Sequence, residues 1–316
     1  MRSEGKSYLE IAKAGGGIIS TVNNTRKASV EELKRTTLQN IERIKKFGVG
    51  YIEAKSGYGL DVETEIKQLE AIKGSKADFP YISSTFLGAH DIPPGEGDKG
   101  KRKKDYIDIL TSGLIKKVAQ NGLAKFCDVF MEEGYYDKDE TKQILLEAKK
   151  HGLIPKLHAD EFTDQDGASL AVELGAISAD HLLCVSKKGI DSLANSNTVA
   201  TILPATSFNL GLKYAPAKQL VEAGACVAVA SDFNPGSNSG LNFQLILTIA
   251  ITQNKLSVAQ AICAGTYAGA KALGVENDFG HVSRGANAVF QVYDAASYPE
   301  IFYNYGENKL KELVFA

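Results

Sequence analysis

Short apolar runs alternate with longer segments of mixed apolar and charged residues along most of this chain. The runs at 18–22, 49–54, 81–87, 126–131, 154–158, 176–181, 199–203 and 226–231 have the length and apolar content of buried strands. Between them, segments 30–47, 62–73, 105–119, 138–151 and 256–273 place apolar residues at helical spacing. Ser29 and Glu32 stand in capping-box spacing ahead of the first of these, so each satisfies a free amide of the other's backbone. Repeated strand-then-helix with near-continuous apolar strands predicts a parallel sheet covered by helices. At 316 residues an α/β fold of the (β/α)8 TIM-like barrel type is favoured over an open doubly wound sheet. Gly15-Gly16-Gly17 precedes a strand-like run instead of following one, which argues against a dinucleotide fingerprint. After Leu273-Gly274 the pattern changes. Residues 1–274 read as the barrel, and residues 275–316, with short β-like pieces such as 288–292, as part of a small β element.

A net charge of −2 gives no electrostatic reason to expect nucleic acid or an anionic membrane as partner. The basic run Lys101-Arg102-Lys103-Lys104 follows a Pro/Gly-rich turn and reads as a solvated loop and helix start. No apolar stretch reaches spanning length, and the first residues lack signal-peptide character. The four cysteines are widely spaced without a C-x-x-C, which predicts buried free thiols in a reducing, cytoplasmic compartment. A small-molecule partner is the expectation.

Three segments put chemistry where strands of such a barrel would end: His158-Ala159-Asp160-Glu161, Ser178-Ala179-Asp180-His181 and Ser231-Asp232-Phe233-Asn234-Pro235. Strand C-termini face the active site of an α/β barrel, so polar residues there point to catalysis rather than packing. Histidine plus carboxylate is the ligand set of a zinc- or iron-type hydrolytic metal. His158 and Asp232 are the best ligand candidates. Glu161 could reach the same space as general base and then acid on the attacking water. His181 could polarise the scissile carbonyl or shuttle a proton. The plainer alternatives are a turn cap for Asp232 and a first-turn helix acid for Glu161. Tyr58, in Lys55-Ser56-Gly57-Tyr58-Gly59, would hang over the barrel mouth, where His90 offers a second imidazole or else a hydrogen-bonded core histidine. Asn234-Pro235-Gly236-Ser237 could bind a carboxylate through backbone amides and a hydroxyl, as a nest does. His151 and His281 read as surface residues.

With these residues in this order, the chain resembles the imidazolonepropionase family of the amidohydrolase superfamily. The resemblance rests on Gly15-Gly16-Gly17-Ile18 with Thr21-Val22 and Thr25-Arg26, on Lys55 to Leu60 and on Thr85 to His90. It continues through His158 to Glu161, Ser178 to His181 and Asp232 to Ser237, and spans nearly the whole chain. It implies hydrolysis of the cyclic amide 4-imidazolone-5-propanoate to N-formimidoyl-L-glutamate in histidine degradation. By position, it implies His158 and Asp232 as ligands of one Zn2+ or Fe ion, and Glu161 and His181 as groups that orient water and substrate. Tyr58, His90, Glu161, Asn234, Gly236 and Ser237 become substrate contacts, and Ser237 keeps the hydroxyl of a position where Thr is often found. Barrel enzymes of this type often pair, so a homodimer is expected.

The chain also departs from the pattern. Amidohydrolases supply two further ligands from a His-x-His pair on the first barrel strand, and none of the five histidines here form one. The match begins at Arg2 to Tyr8, just beyond that place, and Asn287 stands where Asp is usual. A chain shortened at its N-terminus, with an exposed barrel edge, is the simplest expectation. Eight strand-like runs remain without that first strand, so at least one must lie outside a standard barrel. The rival readings are a related amidohydrolase acting on another ring, and a non-catalytic relative serving as a binding or assembly partner.

Overall fold

The computed structural model describes residues 17–315; Gly15, Gly16 and the match at Arg2 to Tyr8 lie outside them. Seven strands form one parallel sheet in strict chain order: β1 (Ile52–Lys55), β2 (Ile82–Ala89), β3 (Phe126–Met131), β4 (Ile154–Ala159), β5 (Ser178–His181), β6 (Val199–Ile202) and β7 (Val227–Val229). A helical segment separates each strand from the next, which is the (β/α) barrel arrangement. β2, β3, β5 and β6 are buried along their whole length, because the sheet is covered on both faces. That is why they read as unbroken apolar runs. Among the described residues β1 and β7 are the two edge strands.

The surplus eighth run is a helix. Ile18–Lys27 follows Gly17, which takes a left-handed φ of 68° as its N-cap. Its β-branched residues suggest a strand, but Ile18 and Val22, four apart, form a single buried face that packs on Leu60 and Tyr58. Arg26 fixes the other end, donating to Gly59 O (2.9 Å) and pairing with Asp61 (2.8 Å). Tertiary packing overrides local propensity here.

The capping box of helix Val30–Lys45 forms as expected, with Ser29 N to Glu32 at 2.8 Å and Glu32 N to Ser29 Oγ at 3.1 Å. The helix predicted at 105–119 starts earlier, at Lys99, because Asp98 caps it through Lys101 N. A five-residue π turn, Leu110–Leu114, carries it into Ile115–Gln120. The basic run therefore lies in the first two turns of that helix. The segment predicted as one helix at 256–273 breaks into Val258–Gly265 and Tyr267–Lys271 at Thr266, whose backbone leaves the helical region. Gly280 approaches that break so closely that a Cβ there would meet Thr266 O at 2.8 Å.

The tail forms a two-stranded antiparallel ribbon, β8 (Val289–Tyr293) with β9 (Leu310–Phe315). It packs beside β1 and β2: Phe315 stacks on Tyr81, Phe279 meets Tyr51 edge-on, and Gln291 donates to Gly48 O at 2.6 Å. All four cysteines are unpaired, as expected, but only Cys127 is buried and Cys263 is exposed. Among the described residues no helix is long and apolar enough to cross a membrane.

Candidate active site

A cavity of 840 Å3 runs along the inside of the sheet. Tyr58, His90, His158, Glu161, His181, Asp232, Asn234, Gly236 and Ser237 all line it, so the structure gathers every site residue expected from the sequence. His158 lies on β4, Glu161 just beyond it, His181 ends β5, and Asp232 follows β7. The backbone turns sharply at these strand ends. Asp160, His181, Leu182 and Asp232 all adopt positive φ, between 48° and 80°. For Leu and His such a conformation is costly, and it is typical of strain held at functional sites.

The side chains sense one another. Burial first, then the neighbouring His158, lowers His90 to about 4. Burial lowers His181 to about 4 against the pull of Asp232. Both imidazoles are therefore neutral near pH 7. Burial raises the Glu161 carboxyl well above the ordinary carboxylate range, and the nearby Asp232 and Glu132 carboxylates push the same way. Burial and then Asp232 likewise push the Tyr58 phenol up. Asp232 is thus felt by four other site residues. His158 and His181 lie with ring centroids 5.2 Å apart, Tyr58 meets His90 edge-on at 5.1 Å, and Glu161 Oε1 is 3.4 Å from His181 Nδ1.

Beneath these groups lies a layer of charge that strand-end reasoning did not anticipate. Parallel register sets His158 beside Asp180, and Asp128 beside Lys156. Asp128 Oδ2 is 3.0 Å from His158 Nδ1, and Lys55 Nζ is 2.6 Å from Asp128 and 3.2 Å from both Asp180 and Glu53. Burial opposes charge on Lys55, but Asp128, Glu53 and Asp180 outweigh it and hold the ammonium charged. Asp128, His158 and Asp180 could also cradle a metal ion by their mutual distances. Lys55 already supplies the cation that those carboxylates need. With Nδ1 turned to Asp128, His158 has Nε2 left for a ligand on the cavity side, the familiar carboxylate–histidine–metal order. Burial opposes charge on His158, but Asp128 outweighs it and raises its proton affinity, so Nε2 must give up a proton to act as a donor. Once neutral, it and the Asp232 carboxylate suit zinc or iron in kind. Lys55→Met should therefore strand two buried carboxylates and cost about 3–5 kcal/mol, read from urea unfolding. A cost under about 1 kcal/mol would remove Lys55 from this role.

Other buried carboxylates hold loops. Glu132 accepts from Phe162 N at 2.8 Å and from the Thr163 hydroxyl, fixing the backbone just after Glu161. Asp160 accepts from the amides of Gln165, Gly167 and Ala168, so it braces the next helix instead of facing the cavity chemistry. The Asn234–Ser237 turn differs from the expected nest. The amides of Gly236 and Ser237 both donate to Asn234 Oδ1, at 2.8 and 2.7 Å. Asn234 Nδ2 donates to Ser237 Oγ, which donates to Asp232 Oδ2 at 3.2 Å, so this turn braces Asp232. Thr206 Oγ1 donates to the same carboxylate oxygen. His151 is half-buried against Glu147, and His281 is half-buried too, with Nε2 2.9 Å from Glu276 O, and also lines the cavity.

The Amidohydrolase family profile matches residues 109–315. Imidazolonepropionase of Porphyromonas gingivalis (strain ATCC BAA-308 / W83) is 41% identical over 314 residues, covering 99% of this chain and 74% of that one. The Shouchella clausii imidazolonepropionase is 40% identical over 317 residues, covering 100% and 70%. That of Alkaliphilus oremlandii is 42% identical over 310 residues, covering 98% and 73%. Among solved structures, a zinc-bound adenosine deaminase from Xanthomonas campestris superposes with a TM-score of 0.73 at 16% identity, covering 98% of this chain and 73% of that one. A 5-methylcytosine deaminase from Klebsiella pneumoniae gives 0.72 at 16% identity, covering 92% and 75%. These two likenesses speak for the fold alone, a TIM-like barrel. Identity of this extent along the whole length, with the motifs gathered in one cavity, decides the family: the chain belongs to the imidazolonepropionases of the amidohydrolase superfamily.

Proposed function

We infer that this chain hydrolyses the ring of 4-imidazolone-5-propanoate to N-formimidoyl-L-glutamate, a step of histidine degradation. The observation that carries this reading is the gathering of Tyr58, His90, His158, Glu161, His181 and Asp232 on one cavity, in a chain of this family. His158 Nε2 and the Asp232 carboxylate would hold the metal, which when bound supplies Lewis acidity toward water and the scissile carbonyl. Everything else falls to the chain's own side chains. Glu161, buried and with a raised proton affinity, takes a proton from the attacking water and passes it to the ring nitrogen as the carbon–nitrogen bond breaks. His181 lies 3.4 Å from Glu161, close enough to orient the water and the carbonyl or relay the proton. Tyr58 and His90 form an edge-to-face wall for the flat ring. Asn234, Gly236 and Ser237 line the cavity beside Asp232 and, with their amides and hydroxyl engaged within the turn, serve the substrate by holding that carboxylate in place.

Unpaired cysteines suit a reducing compartment, so the cytoplasm is the expected location. A homodimer is the expected assembly. The test is metal analysis of the purified chain beside hydrolysis of imidazolone propanoate. About one zinc or iron ion per chain with turnover is the expected result. A metal-loaded chain without turnover would sink the assignment.

A further inference from the structure

Glu65 is buried and lies outside the cavity wall, yet it faces the loop that carries Tyr58. It sits in the first turn of helix Val62–Ser75, itself capped by Asp61 through Thr64 N. From that rigid position one carboxyl oxygen accepts from Gly57 N at 3.0 Å. The other accepts from Gly59 N at 2.8 Å and Leu60 N at 3.1 Å. The Ser56 hydroxyl also bonds to the carboxylate, and Ser56 Oγ accepts from Leu87 N at 3.1 Å. The loop approaches too closely for side chains. A Cβ at Gly59 would meet Glu65 N at 2.7 Å, and one at Gly57, where φ is +108°, would meet Leu87 O at 2.9 Å.

Gly57 matters for a second reason. Its carbonyl lies 3.0 Å from His90 Nδ1. A carbonyl only accepts, so Nδ1 carries the proton and Nε2 is left with a lone pair. The chain of contacts therefore runs from Glu65 to Gly57 N, from Gly57 O to the His90 ring, and from His90 edge-on to Tyr58.

We propose that Glu65 is a positioning residue that sets both aromatic walls of the substrate site, locking the Tyr58 loop and, through the Gly57 carbonyl, the ring orientation and tautomer of His90. This rests on the reading that Tyr58 and His90 contact the imidazolone ring. Leaving a buried carboxylate to satisfy three amides is otherwise a costly way to close a loop.

The test uses the full, metal-loaded chain with Glu65→Gln and Glu65→Asp. Glu65→Gln keeps the shape but cannot accept at both carboxyl oxygens, so it turns a donor against one of these amides. Its KM for imidazolone propanoate should rise on the order of ten- to a hundredfold, with a smaller change in kcat and unchanged metal content. In 15N-histidine-labelled protein, the His90 ring should move from a fixed Nδ1–H tautomer toward an averaged signal. Glu65→Asp keeps the charge but draws it back by one methylene, and should show the same changes to a lesser degree. A folded Glu65→Gln with parental KM, or with an unmoved His90 signal, overturns the proposal. Should Glu65→Gln fail to fold, the same result in Glu65→Asp overturns it. The ring signal needs no turnover. An inactive parent with a fixed His90 tautomer would thus indict the substrate assignment, while the variants still decide the role of Glu65.

Discussion

Asp232→Asn is expected to bring turnover to background and to lower bound metal. The exchange is close to isosteric, and Asn tolerates the left-handed φ of 48° that this position holds. The hydroxyls of Thr206 and Ser237 can still donate to the remaining carbonyl oxygen. What disappears is one negative charge at the centre of the site. That charge acts on Tyr58, His90, Glu161 and His181 at once, so its loss changes the proton affinity of all four. It also removes one of the two donors assigned to the metal, leaving His158 alone among the described residues. Elemental analysis beside a turnover assay checks both halves. Near-parental activity would remove Asp232 from the ligand role. Lost activity with undiminished metal would recast it as a group acting on the substrate.

Most strands were legible because they are buried on both faces, so β3 shows at Phe126–Met131 with the bounds expected from its apolar run. The run at 18–22 misled for the converse reason. Its branched residues favour a strand, and the contacts that make it a helix, with Leu60 and with Gly59 through Arg26, come from a distant part of the chain. Short helices such as Pro204–Leu210 and Ala217–Ala223 give too few turns for a periodicity to emerge, and Phe243–Thr252 is apolar on nearly every side. In the site, His158, Glu161, His181 and Asp232 were legible because strand ends announce themselves. Lys55, Asp128 and Asp180 were not assembled. Their ion pairs join residues 73 and 125 positions apart, which no local spacing can reveal. One signal was present: a carboxylate inside the apolar run at 126–131 has to find a buried partner. Glu65 and Glu132 carry no local signal in the sequence, because the amides they serve are set by the fold.

Glu161→Gln should cost about 10²–10⁴-fold in kcat while metal content and KM stay near parental values. The argument turns on what the substitution spares. Glutamine keeps the length and one acceptor oxygen, and Glu132 still fixes the following backbone through Phe162 N. His158 is oriented by Asp128, and Asp232 by Thr206 and Ser237, so neither metal donor leans on Glu161. The amide, however, cannot take a proton. His181 does not take over readily, because burial has already lowered it to about 4 and it accepts protons poorly near pH 7. The step that moves a proton from water to the ring nitrogen therefore loses its carrier, an effect felt in the transition state and not in substrate binding. The same loss should flatten the limb of the kcat pH profile that reports this carboxyl. Metal lost together with activity would make Glu161 a ligand. A tenfold loss or less would pass the proton-carrier role to His181, and His181→Asn should then show the larger defect.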